Sequence, residues 1–179
     1  MTVRMYVNFC EAYGKEFSVP VRERKFIFGR KKIEDLGYCR FEQIEECNRL
    51  LKSNDSWQVI ADLVAVIYEV DPEQVNRSGI RDVYPVVVHI INELLRLNRM
   101  REAASEMDLK SEEIQAGAEE FQKYGVYMTV RNLAAKLNLK LDEVWQMPLY
   151  DAVLEIRVLR DEAVYNEKLH KLLTPKTKR

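Results

Sequence analysis

The chain is poor in the side chains that most enzyme chemistry needs. Its 179 residues include only two histidines, His89 and His170, and three cysteines, Cys10, Cys39 and Cys47. Nucleophilic triads need a histidine base. His89 sits in the apolar run Val86-Val87-Val88-His89-Ile90-Ile91, which reads as a packed histidine, and His170 sits in the charged neighbourhood of Lys168 and Lys171. The cysteines are odd in number and show no CxxC spacing. That argues against a disulfide framework or a zinc site, and for a reducing, cytosolic home. Cys39 and Cys47 read as buried thiols. There is no GxGxxG, no GxxxxGK followed by Ser or Thr, and no DxDxDG-like loop, so nucleotide and calcium motifs are missing. The acidic pairs Glu45-Glu46, Glu112-Glu113 and Glu119-Glu120 fall on expected solvent faces. The reading is a protein with no catalytic, cofactor or metal site, and not an enzyme.

Long apolar runs are also missing. The most apolar helix, around residues 86–97, is interrupted by His89, Asn92, Glu93 and Arg96, short of the ~20 apolar residues a membrane span needs. The opening Met-Thr-Val-Arg-Met-Tyr lacks the apolar core of a signal peptide. Net charge is −1, so no global field recruits nucleic acid or anionic membrane. What the chain does have is 47% hydrophobic residues, enough for a substantial core.

The pattern of those residues gives a mainly α protein: a multi-helix bundle in two helical halves, with a short β-hairpin-like N-terminal arm. In the arm, residues 1–37, Val3, Met5, Val7 and Phe9 alternate with polar neighbours, and Phe17, Val19 and Val21 resume the alternation after a turn at Tyr13-Gly14-Lys15. Pro20 would place that strand at an edge, and residues 26–28 read as a third short strand stopped by Gly29. Residues 1–32 carry eight bases against three acids, a net of +5, which fits a solvated basic face or an arm docking on an acidic partner.

From residue 38 the period becomes helical. The first helical domain, 38–106, starts with Phe41, Ile44, Leu50 and Leu51 on one face and Glu42, Glu45, Glu46 and Arg49 on the other. A second helix is expected over 57–69, capped by Ser53, Asn54 or Asp55 and ended by Asp71-Pro72. After a turn at Ser78-Gly79, a long helix is expected from about 81 to 106, with Pro85 in its first turn. Residues 107–110 read as a hinge. The C-terminal subdomain, 111–173, opens at Ser111 with acidic residues against the helix dipole and has its first helix closed by Gly125 as C-cap. A helix capped by Thr129 and ending near Asn138 follows, then one capped by Asp142 and running to Met147, then a long helix from 149 to about 173 that is charged on one face. Residues 174–179 read as a mobile tail. No internal repeat is visible.

Residues 129–147 have the helix-turn-helix pattern, which raises DNA binding. Charge weighs against it: residues 111–147 hold four bases against six acids, and Asp142-Glu143-Val144-Trp145-Gln146-Met147 offers phosphate no cation. The sharper candidate is a protein-binding surface. Trp145, Met147, Leu149 and Tyr150 flank Pro148, which breaks the helical ladder and gathers large soft side chains of the kind adaptable binding sites use. The competing reading is that Trp145 and Leu149 pin the last helix onto the helix before it.

Residues 38–160 also resemble a known family. The helix Phe41-x-x-Ile44 with Leu50-Leu51, the Trp57 helix with Ala65-Val66-Ile67-Tyr68, and Asp82-Val83-Tyr84-Pro85-Val86 are similar to the N-terminal half of tail assembly chaperones of tailed bacteriophages. Tyr124-Gly125-Val126, Thr129-Val130 with Leu133-Ala134, Leu141-Asp142-Glu143-Val144 and Met147-Pro148-Leu149-Tyr150 resemble the family's C-terminal portion. The β-like arm departs from it and keeps a second reading open, a small virion structural or connector protein. The resemblance implies an all-helical protein of the host cytoplasm that shelters the apolar helices of the tape measure protein until tail tube assembles around it. The expected partner is thus a protein (tape measure or tail tube), with no specific nucleic acid and no membrane, and with self-association open.

Overall fold

The computed structural model describes residues 27–28, 31–53, 58–105 and 123–173. The mainly α class holds for them. The expected strands at 3–9 and 17–21, the hinge at 107–110, the helix opening at Ser111 and the tail lie outside the described residues. So does Trp57. Of the N-terminal arm the structure describes a minimal antiparallel ladder, β1 (Ile27–Phe28) with β2 (Lys31–Lys32), in which Ile27 pairs with Lys32 and Phe28 with Lys31. The chain divides into two compact units, Met1–Asn98 and Arg99–Arg179.

In the first unit a single 3-10 turn, Leu36–Tyr38, is capped by Asp35, whose Oδ1 accepts from Gly37 N at 2.8 Å. The same oxygen takes Arg96 Nη2 at 2.9 Å, tying this turn to a helix far along the chain. Helix α1 (Phe41–Ser53) buries Phe41, Ile44 and Cys47. The expected inner position of Leu51 is a miss: Leu51 is exposed, and the seam runs through Cys47 and the buried Asn48 instead. Two polar side chains on this face are matched. Gln43 Nε2 donates to Val66 O at 2.9 Å while its Oε1 accepts from Arg40 N. Asn48 and Asn98 exchange amide hydrogen bonds at 3.1 and 2.9 Å.

Helix α2 (Val59–Tyr68) is apolar nearly all round, with seven of its ten residues buried, as a helix at the centre of a core must be. It ends on Glu69 in the left-handed conformation, φ 57°. The sequence reading has Asp71-Pro72 only as a stop. In the structure it is also a start: a short helix α3 (Pro72–Arg77) has Asp71 as N-cap, with its carboxylate accepting from Glu73 N at 2.8 Å, and Pro72 at the first position, where a missing N–H costs nothing. Helix α4 (Ile80–Ser105) follows. It begins early enough that Pro85 falls beyond the first turn, inside the helix, so Arg81 O loses its usual donor. Val83, Val86, Val87, Ile90, Leu94 and Leu97 form its buried stripe.

The second unit contains α5 (Val126–Leu137), α6 (Leu141–Gln146) and α7 (Leu149–Leu173). Two caps differ from expectation. Gly125 (φ 46°) is the N-cap of α5, so Thr129 lies within the helix rather than starting it. Lys140 is the N-cap of α6, and Asp142 is its second residue. A lysine ammonium has no acceptor, so the cap is one-sided: Glu143 Oε2 accepts from Lys140 N at 2.6 Å. Val130, Leu133, Ala134, Val144, Leu149, Ala152, Val153 and Ile156 make the core.

An internal repeat invisible in the sequence emerges here. Helix α2, short helix α3 and long helix α4 are matched, 69 positions on and without a gap, by α5, α6 and α7. Each first helix ends on a left-handed residue, Glu69 (φ 57°) and Asn138 (φ 55°). Each closes with a bond to an alanine carbonyl, Val70 N to Ala65 O at 3.1 Å and Leu139 N to Ala134 O at 2.9 Å. Both short helices have six residues. The buried positions coincide too: Ala61 with Val130, Val64 with Leu133, Val75 with Val144, Ile80 with Leu149, Val83 with Ala152 and Val87 with Ile156. Core size and placement repeat while residue identity does not, which is why inspection of the sequence misses it.

A candidate protein-binding surface

Among the described residues of the first unit the cysteines are buried: Cys39 and Cys47 are free thiols in the core. Burial, aided by Cys39 and Glu46, pushes the Cys47 thiol up to about 12, so it stays protonated at neutral pH. Burial likewise pushes the Tyr68 phenol up to about 12, against a backbone hydrogen bond with Ile33 that lowers it. Glu46 moves the other way, its carboxyl lowered chiefly by its hydrogen bonds to Arg49. Arg49 is pinned in turn by that exposed pair. His89 is half-buried and His170 exposed, in different units. Among the described residues no group of three or more His, Cys, Asp or Glu side chains could hold a metal, and no helix is long and apolar enough to cross a membrane.

The four candidate binding residues separate in the structure. Leu149 is 1% exposed and belongs to the core, so it is removed from any surface that meets a partner. It occupies the place Ile80 takes in the first unit, sealing the elbow between a short helix and a long one. Trp145, Met147 and Tyr150 are half-buried, each with an accessible part. The repeat shows what these three are not needed for. Their counterparts 69 positions earlier are Asn76, Ser78 and Arg81, and the first unit completes the same backbone with those polar side chains. The second unit therefore carries half-buried aromatic and methionine side chains at three positions where the first unit has polar ones, of which Asn76 is buried.

More apolar surface lies nearby in the second unit. Tyr127 on α5 and Tyr124 just before it are about half exposed, and Lys123 Nζ sits 5.1 Å from the Tyr124 ring centroid. Leu139, in the turn after α5, is exposed as well. The sequence reading treats α7 as charged on one face. It misses that the face turned away from the core carries Leu154, Val158, Tyr165, Leu169 and Leu172, all exposed. Their steps of three, four and seven residues were the available signal. Electrostatically the α5–α6 region is mixed: α6 holds Asp142 and Glu143 and no base, while α5 carries the exposed Arg131 and Lys136, the latter paired with Glu162 at 2.5 Å, and Lys140 caps α6.

Comparison with family models, with curated proteins and with solved structures returned no match to this chain.

Proposed function

We propose that this chain is a non-enzymatic assembly chaperone of a tailed bacteriophage that binds the tape measure protein during tail morphogenesis in the host cytoplasm. The family resemblance over residues 38–160 supplies the client. The observation that carries the binding role is the Trp145–Met147–Tyr150 cluster, placed where the first unit manages with Asn76, Ser78 and Arg81. Half-exposed aromatic and methionine groups at a helix break offer large contact area with little conformational entropy to lose. An apolar tape-measure helix is the kind of partner such a surface shelters. The N-terminal arm, taken as β-hairpin-like and basic, is a second contact for an acidic stretch of client or tail tube protein. On this reading the protein takes no cofactor and reads no specific nucleic acid.

The test is co-expression with the tape measure protein. Met147→Ser with Tyr150→Arg installs the first unit's own residues, so the fold should survive while co-purification of the client falls. Undiminished capture by this double variant would remove the cluster from the binding surface. Mass spectrometry should find the protein in infected-cell lysates and not in mature virions. Stoichiometric copies in the virion would favour the structural or connector protein instead.

A further inference from the structure

Helix α7 has two apolar faces on opposite sides. At 3.6 residues per turn, Leu149, Ala152, Val153 and Ile156 centre on the side buried in the second unit. Leu154, Val158, Tyr165, Leu169 and Leu172 fall within an arc of about 60° on the other side, in a line about 27 Å long. These five are between 38% and 83% exposed. Past Arg160 the helix has little support of its own: from Asp161 to Leu173 every residue but Glu167 is exposed. Several turns of helix without packing are marginal in water. The steps are four, seven, four and three residues, with Asp161 and Glu162 at the midpoint where an apolar residue is missing, and an apolar line of this kind is what a helix uses to pair with another helix along its axis.

The charges beside the stripe select the partner. Along one edge run Asp151, Glu155 and Glu162, and along the other Arg157 and Lys168, with Asp161 between these two bases and the stripe; Lys171 lies off both edges, above the buried Val153. Glu162 is held by Lys136 and Lys171 by Glu167, both on the surface. Asp161, at the margin of the stripe, is neutralised by Arg160 at 2.8 Å. Two copies of such a helix paired antiparallel would set acid against acid and base against base. Paired in parallel about a twofold axis, the acidic edge of each meets the basic edge of the other, and Arg157 comes opposite Glu162 of the second copy.

We infer that the outer face of α7 pairs in parallel with α7 of a second copy of this chain, forming a reversible homodimer. The seam spans under three heptads, at the small end of specific interfaces, so the dimer is concentration-dependent. The inference does not rest on the client reading, and its test uses other residues.

Sedimentation velocity on the full chain across a micromolar concentration series should show a monomer–dimer equilibrium. Tyr165→Glu with Leu172→Glu should raise the dimer Kd by about tenfold or more and leave the unfolding midpoint of the dilute monomer unchanged, because both side chains are exposed. Arg157→Glu alone should weaken the dimer, and R157E/E162R should recover it. In a Cys10→Ser background, Leu172→Cys should cross-link to itself under mild oxidation. A chain monomeric at every concentration would sink the idea, as would a dimer indifferent to Y165E/L172E. A fall in the unfolding midpoint of Y165E/L172E measured well below the dimer Kd would mean the chain covers this face itself, and cross-linking of position 154 to 172 in preference to 172 to 172 would overturn the parallel arrangement. A monomer that captures an apolar helical peptide through this face would replace the second copy with a foreign helix.

Discussion

Truncating the two equivalent elbow residues should cost the two units nearly the same amount. Ile80 and Leu149 open the long helices α4 and α7 and are 2% and 1% exposed. Changing either to alanine removes three buried carbons, about 2.4 kcal/mol at ~0.8 kcal/mol per carbon. The cavity left behind adds to this, giving about 3–4 kcal/mol for each variant. Met147→Ser with Tyr150→Arg should cost about 1–1.5 kcal/mol, since both side chains are half-buried and an arginine stem still covers apolar surface. Urea unfolding followed by circular dichroism measures all three. In a Trp57→Phe background, Trp145 fluorescence reports the second unit alone. If Ile80→Ala costs its 3 kcal/mol while Leu149→Ala costs under 1, the positions are not equivalent and the repeat is only a similarity of helix lengths. If the Met147/Tyr150 pair costs as much as Leu149→Ala, these side chains are core and the binding cluster loses its basis.

Three further outcomes follow from the same geometry. Cys47 ionises near 9 when exposed and at about 12 in the fold. Its folded pKa is raised, so its contribution is complete below about pH 9 and drains away toward 12. Stability should drop by roughly 1.4 kcal/mol from this group by pH 10, with Tyr68 adding to the loss above its own ordinary value of 10.0, as pH-dependent urea titrations would show. Asn48→Ala should cost about 1–3 kcal/mol because it removes both amide hydrogen bonds to Asn98, and Asn48→Leu with Asn98→Leu should recover most of it; a double variant as unstable as the single one would refute the exchange pair. Gly125→Ala should lose about 1–3 kcal/mol in thermal unfolding although a Cβ there meets nothing within 4 Å, since the penalty lies in the backbone conformation itself, φ 46° with ψ −130°, which side chains avoid.

The parts legible in the sequence were those where periodicity and punctuation agree. The run 149–173 has a proline before it and unbroken helix formers within it, and α7 covers that span. Errors arose where one residue serves two purposes. Asp71-Pro72 ends one helix and starts the next, because proline is excluded from a helix interior yet suited to a first turn. Thr129 and Asp142 are good caps by type, but Gly125 and Lys140 hold those places: a positive φ favours glycine over threonine, and Glu143 satisfies the Lys140 N–H from inside the helix. Leu51 is exposed although hydropathy favours leucine inside, because the register set by Phe41 and Ile44 turns position 47 inward, where Cys47 is buried as expected. The outer stripe of α7 was overlooked because charges interleave with it at every turn.

The repeat separates residues that make the fold from residues that use it, a distinction one unit alone would not reveal. Where both units bury an aliphatic side chain, packing explains the choice: Val75 and Val144 are fully buried at the same point of their short helices. Where the units disagree in character, packing explains neither. Position for position, the first unit's Pro85, His89 and Arg96 stand where the second has Leu154, Val158 and Tyr165, and Arg96 there serves its own unit, bonded to Asp35 and Glu93. Of the three first-unit residues Arg96 forms ion pairs within its own unit, whereas their second-unit counterparts are apolar or aromatic and exposed. Exposed large side chains without a folding role are a liability in a monomer, so their concentration in one of two equivalent modules is best understood as the cost of binding. On the proposed function the second unit is the one specialised for association, and the difference between the two long helices is one of degree, since Val88 and Leu95 of the first are exposed as well.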